Sequence, residues 1–351
     1  MDFSFYRGKK IFITGHTGFK GSWLAFWLTK LGANIIGYAL PPQTTPNHFE
    51  LLGLDMESHL ENINDLEKLQ KAVITAKPDI VFHLAAQPLV RYSYLHPIET
   101  YQTNIMGTAN VLEASRYCPS VKAIIVVTTD KCYENLEQQK GYVETDRMGG
   151  YDPYSSSKGC AELVVSSYRN SFFNLNDYNQ KHNVLLASAR AGNVIGGGDW
   201  SEDRLIPDII KSAIKGKPTS IRFPNATRPW QHVLEPLKGY LMLGEKLFNG
   251  NVDFADAWNF GPNENEVLSV GDVLKIANEN WSDIQFTLDT LTDHAHEAGL
   301  LSLNIDKAKA KLGWMPKWSN EESIGKAIAW YKAFYKDGTL LTQEQIKLYS
   351  L

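Results

Sequence analysis

Cysteine is scarce: Cys118, Cys132 and Cys160 are odd in number, far apart and never in a C-x-x-C pair. That excludes a disulfide framework and a cysteine zinc cage, and points to a reducing compartment, the cytoplasm. No apolar run approaches the ~18 residues that suggest a membrane span. Residues 123–127 have the length of a buried strand, and residues 1–10 lack the apolar core of a signal peptide. Charge of one sign is also missing, since 35 Lys and Arg face 39 Asp and Glu for a net charge of -4. No broad basic field exists to wrap nucleic acid, so any phosphate must be met by local donors. Neither an internal repeat nor a low-complexity segment is visible.

What is present is an ordinary soluble composition, 43% hydrophobic and 21% charged, in a chain of 351 residues, long enough for two lobes. Short apolar runs at 11–14, 34–38, 80–84, 124–128 and 185–190 predict buried parallel strands. Between them, residues 23–31, 66–75, 103–115 and 156–168 carry apolar positions at helical spacing. The alternation predicts an α/β fold, a Rossmann-type doubly wound parallel sheet with a smaller mixed α/β substrate lobe. After residue 190 the rhythm gives way to Gly- and Pro-punctuated loops, followed by packing helices near 270–281 and 321–335. The expected division is 1–190 plus about 231–261 for the nucleotide domain, and about 191–230 plus 262–351 for the substrate domain.

Directly after the first strand stands Gly15-His16-Thr17-Gly18-Phe19-Lys20-Gly21. This G-x-x-G-x-x-G spacing between strand and helix permits a tight turn and lets a pyrophosphate reach the helix N-terminus. The acidic residue that would grip an adenosine ribose is absent, because residues 38–42 read Tyr-Ala-Leu-Pro-Pro. No Arg or Lys replaces it for a 2'-phosphate, so NAD is favoured over NADP. Lys20 reads as a solvated side chain. Asn62 and Ile63 are candidates for an adenine contact, and Leu84-Ala85-Ala86 supplies small residues over which a dinucleotide crosses the sheet edge. His83, inside an apolar run, reads as packed and hydrogen-bonded, not catalytic.

A later strand ends in Thr128-Thr129-Asp130-Lys131, and Tyr154 and Lys158 follow four residues apart on one helical face. A lysine charge there is expected to lower the tyrosine pKa from about 10, making Tyr154 a base toward a sugar hydroxyl.

Together, the glycine loop, Leu84-Ala85-Ala86, Thr103-Asn104 with Gly107-Thr108, the strand-end triplet and Tyr154/Lys158 resemble the extended short-chain dehydrogenases/reductases that act on nucleotide sugars. The resemblance covers nearly the whole chain. Within that family, 4,6-dehydratases usually carry Thr-Asp-Glu after this strand; Thr129-Asp130-Lys131 is similar to the CDP-glucose branch, as are 190–196, 228–233 and 296–298. The resemblance implies an NAD-dependent hydro-lyase in deoxysugar synthesis, with CDP-glucose as substrate and NAD retained. It assigns Tyr154 to the O4 proton, Thr129 to orienting that hydroxyl, Lys131 to the C5 proton and Asp130 to the departing C6 hydroxyl. Thr17, Phe19, Thr103 and Thr128 join the cofactor site.

For the substrate, Gln87, Asn193, Arg204, Arg222, Arg228 and His296 are candidates, with Arg228 the preferred phosphate clamp. His294, His296 and Glu297 form H-x-H-E, but the chemistry needs no metal. A lysine at its ordinary pKa is a poor base, so Lys131 either has a lowered pKa or stabilises the enolate while another group takes the proton. The rival readings are a 4-epimerase, for which Asp130-Lys131 has no task, and a silent dinucleotide sensor, which commonly loses the tyrosine or lysine present here. The inverting dehydratase of UDP-N-acetylglucosamine also has Asp-Lys, but its tyrosine typically follows more closely than the 24 positions from Asp130 to Tyr154. A homodimer or dimer of dimers, paired through the helices of Asn104 and Tyr154, is expected.

Overall fold

Seven strands pair in parallel in the computed structural model, which describes residues 3–138, 140–221, 224–263, 266, 268–288 and 300–351. They are β1 (Lys10–Thr14), β2 (Asn34–Ala39), β3 (Glu57–Leu60), β4 (Ile80–His83), β5 (Ala123–Thr129), β6 (Leu185–Ala191) and a last strand, Ala257–Phe260. The last strand borders β6, and the order continues β5, β4, β1, β2, β3. Every residue of β5 and β6 is buried. A strand covered on both faces must be apolar on both, which is why these segments read as continuous runs. β3 was not anticipated: Glu57-Ser58-His59-Leu60 lies at the sheet edge, largely exposed, and needs no apolar pattern.

The crossover helices cover the two faces. On one side Leu69, Val73, Val111, Leu112 and Val165 meet Phe12, Ile36, Val81 and Leu186. The other face shares one continuous core with Trp23 and Trp27 of the first helix, with Leu234–Phe248, and with Trp314 and Trp330 from the later part of the chain. Each such large buried side chain contributes roughly 2–3 kcal/mol relative to exposure. The helix Leu234–Phe248 falls where the sequence suggested a return to the sheet; that return is confined to Ala257–Phe260. Leu234 to Leu241 are all buried, so no amphipathic period marks the helix.

Beyond β6 the chain makes small two-stranded pairings: Val194–Ile195 with Gln231–His232, Thr227–Arg228 with Leu268–Ser269, and Thr219–Ile221 with Phe286–Leu288. Strand order reverses between β1 and β4, and the carboxyl ends of such neighbours form the crevice in which open α/β sheets bind ligands.

Candidate active site

The glycine loop leaves β1 at this crevice. Gly15 has φ +78°, and a Cβ there would stand 2.6 Å from the Ala85 nitrogen, so the close approach of the two loops requires glycine. A Cβ on Gly21 would collide with the Gly15 carbonyl at 2.0 Å. Gly18 precedes the helix Phe19–Lys30 without a side-chain cap, leaving the first-turn N–H groups free of intrahelical acceptors. Thr17 donates to the Leu40 carbonyl at 2.8 Å, tying the loop to the segment after β2. This cradle of close-packed backbone and open helix N-terminus fits a dinucleotide pyrophosphate.

Around it, Leu84, Ala85 and Ala86 are half-buried, Ile63 is buried and Asn62 is exposed, its side chain accepting from the Asn64 N–H at 2.9 Å. Thr103 is half-buried in a π-helical turn, Gln102–Met106. Its neighbour Asn104, which sequence reasoning quoted without a task, donates to the Gln87 carbonyl and to Ser157 Oγ, at 3.0 and 2.8 Å, and accepts from the Gln87 N–H. It locks the loop after β4 onto the helix of Tyr154. His83 is packed as expected, between Thr14 Oγ1 at 2.7 Å and Thr108 Oγ1 at 3.0 Å.

At the end of β5, Thr128, Thr129 and Asp130 are buried, and Asp130–Cys132 makes one 3-10 turn. Thr129 Oγ1 donates to Asp130 Oδ1 at 2.9 Å and accepts from the Lys131 N–H at 3.3 Å. The other oxygen, Asp130 Oδ2, is buried without a hydrogen-bond partner. It faces the bare backbone of Gly192, where a Cβ would lie 3.0 Å away. Burial raises the Asp130 pKa against the charges of Lys131 and Lys20, so the proton needed by an acid is favoured.

Asp152 caps the helix Pro153–Ser171, and its first turn carries Tyr154 toward Thr129. The expected lowering of the Tyr154 pKa is not what the structure has: burial pushes the phenol up to about 12, against the hydrogen bond with Thr129. Lys158 Nζ donates to the Val127 carbonyl at 3.0 Å, and burial lowers its pKa to about 8 while Glu162 opposes the shift. Lys20 is not the solvated side chain expected. Burial first, then the charges of Arg204 and Lys158, lower its pKa to about 7, with Asp130 opposing. No spacing rule relates a lysine in the glycine loop to residues more than a hundred positions away.

Among the described substrate candidates, Arg204 pairs with buried Asp199 at 2.7 Å and interacts with Tyr154. Arg228 is half-buried and donates to its neighbour's carbonyl, Thr227, at 2.8 Å. Thr227 and Pro229 line a pocket with Asn263, Glu266, Leu301 and Leu303. Asn193 is half-buried and offers its carbonyl to Gln231 N–H. The Gln87 side chain is engaged by Leu89 of its own loop and by Thr100 of the helix Pro97–Tyr101. Arg222, His294, His296 and Glu297 lie outside the described residues.

A family model, GDP-mannose 4,6 dehydratase, matches residues 12–327. The chain belongs to the GDP-mannose 4,6 dehydratase family. This member of the family is 50% identical over 343 residues to CDP-glucose 4,6-dehydratase of Salmonella typhimurium, covering 97% of this chain and 95% of that protein. With dTDP-glucose 4,6-dehydratase of the same organism it shares 25% identity, over 92% of this chain and 93% of the other. Among solved structures, UDP-glucose 4-epimerase of Thermus thermophilus in complex with NAD is 21% identical with a TM-score of 0.78, covering 92% of this chain and 99% of that one. That likeness shows the shared Rossmann-type fold. As a member of the GDP-mannose 4,6 dehydratase family, the chain is an enzyme.

Proposed function

We propose that this enzyme converts CDP-glucose to CDP-4-dehydro-6-deoxyglucose and water, with NAD as its resident cofactor. The observation that carries the reading is the partnerless, buried Asp130 Oδ2 beside Thr129, Lys131 and Tyr154. It supplies an acid that dehydration needs and epimerisation does not. CDP as the nucleotide is supported by the 50% identity to the Salmonella enzyme.

When bound, NAD would supply the acceptor for hydride from C4 and the donor of hydride to C6, and its positive charge would favour a nearby phenolate. Tyr154 removes the O4 proton, with Thr129 orienting that hydroxyl. The resulting 4-ketone acidifies C5, whose proton is assigned to Lys131. Asp130 protonates the C6 hydroxyl, which leaves as water, and Lys131 returns a proton to C5. The proton that Tyr154 took from O4 then balances, by exchange with solvent, the one that Asp130 gave to the departing water, and both recover their starting states. Gly15, Gly18, Phe19 and Gly21 would hold the pyrophosphate, and the absence of a cation where Tyr38 stands favours NAD over NADP.

Asn193, Arg204 and Arg228 are assigned to the nucleotide diphosphate, with the pocket beside Arg228 for the nucleoside. Residues 1–190 plus about 231–261 form the cofactor domain in this reading, and about 191–230 plus 262–351 the substrate domain. No helix among the described residues is long and apolar enough to cross a membrane, in keeping with work on a dissolved substrate in the cytoplasm. Exposed Ile98, Met106 and Leu163, on or beside the Asn104 and Tyr154 helices, support a homodimer, or a dimer of dimers, for the assembly.

Incubation of the purified protein with the CDP-, UDP-, dTDP- and GDP-linked glucoses tests the proposal by mass spectrometry. Loss of one water from CDP-glucose before the others is expected; loss from none overturns it.

A further inference from the structure

Behind the catalytic groups lies a buried ion pair that the mechanism above does not use. Glu162 follows Lys158 by one helical turn and Tyr154 by two, on the same face. Its carboxylate accepts from Thr128 Oγ1, from Ser188 Oγ at 2.8 Å and from Arg190 at 2.8 Å. The two charged side chains are only 4% and 5% exposed. The Arg190 charge and these hydrogen bonds outweigh burial and keep the carboxyl below its ordinary pKa.

Arg190 continues the chain of contacts. Its guanidinium donates to Tyr133 Oη at 2.6 Å and to the Glu144 carbonyl at 3.0 Å, and lies 5.0 Å from the Tyr133 ring centre. Tyr133 ends the turn that carries Asp130 and Lys131, and donates in turn to Asn259 Oδ1 at 2.8 Å. One ion pair thus touches the helix of Tyr154 and Lys158 on one side and the turn of Asp130 and Lys131 on the other.

We propose that Glu162 and Arg190 are positioning residues for both half-reactions: Glu162, bonded to Thr128 and Ser188, fixes the helix of Tyr154 and Lys158 against β5 and β6 with a carboxylate one turn beyond Lys158, and Arg190, through Tyr133, sets the turn of Asp130 and Lys131. The proposal rests on the assignment of Tyr154/Lys158 and Asp130/Lys131 above. Among the described residues, Lys158 bonds the Val127 carbonyl of β5 and interacts electrostatically with Cys132 from the turn, His83 from β4, Lys20 from the first helix and Glu162 from its own. Glu162 is the leading influence that raises the Lys158 pKa, against burial. A buried ammonium without it gives up its proton at lower pH.

The test separates the two arms. Glu162→Gln should shift the alkaline limb of kcat/KM for water loss down by about one pH unit, roughly a tenfold loss well above the limb. The acetylation midpoint of Lys158, read by mass spectrometry on the protein before substrate is added, should move with it. The double substitution of Glu162→Gln with Arg190→Met removes both charges and should show the same shift, so a folding failure of the single variant leaves the test intact. Tyr133→Phe should leave the limb in place and slow C5 proton washout more than C4 oxidation; Glu162→Asp should restore part of the shift. A merely structural pair would lower stability and rate with the limb, the midpoint and the balance of steps unchanged, and that result overturns the proposal. Full water loss by Tyr154→Phe or Lys158→Met would instead overturn the site assignment on which it rests.

Discussion

Tyr154, Asp130 and Lys131 divide the proposed chemistry into steps that can be measured apart. Tyr154→Phe should abolish the first hydride transfer, seen as loss of the reduced-nicotinamide absorbance transient. Asp130→Asn cannot supply a proton to the departing hydroxyl, and water release should fall ~10²–10⁴-fold while that transient persists. Lys131→Ala should likewise permit C4 oxidation but slow deuterium washout at C5; equal losses in every step would show the roles to be misassigned. Tyr154 and Lys158 were legible in the sequence because a spacing of four puts two side chains on one helical face. Lys20 was not, since its neighbours Lys158 and Arg204 arrive from distant segments. Glu162 left a fainter trace, a further charge one turn beyond Lys158 on a face the fold buries.

The helix Pro153–Ser171 delivers these groups, and its start is fixed by chemistry visible in the chain. Asp152 accepts from the Ser155 N–H at 2.9 Å and from Ser155 Oγ at 2.6 Å, with Pro153 opening the first turn. Asp152→Ala should cost about 1 kcal/mol of stability, read as a lower urea midpoint at unchanged slope. It should also reduce kcat, because Tyr154 lies in the turn so released. The parallel strands and crossover helices of the nucleotide-binding half were readable from apolar runs and helical periodicity. The helix Leu234–Phe248 was hidden by burial on nearly every side, and β3 by its polar edge position.

Four histidines make the whole molecule sensitive to acid. His16, His48, His83 and His232 are at most 2% exposed, and burial is the leading cause that lowers their pKa values, to about 4 for His16 and about 3 for the others. The unfolded chain binds these protons near pH 6.5 and the native one does not, so their contribution is complete above about 6.5 and declines as pH falls toward 4 and then 3. By pH 5 each has withdrawn about 2 kcal/mol. Thermal unfolding scanned from pH 7.5 to 5 should show a falling Tm; a flat profile would mean that these histidines are charged in the native state. The core in which two of them sit has a further consequence, for synthesis. His48 is bound on one ring nitrogen by Ser22 of the first helix and on the other by Thr342, 294 positions later. Trp27 of that first helix meets the ring of Tyr349 at 5.9 Å. The helix whose first turn would receive the cofactor therefore leaves the ribosome long before the segment that completes its packing. Until residues 342–349 emerge, the nascent chain must carry the apolar flank of its nucleotide site unsealed.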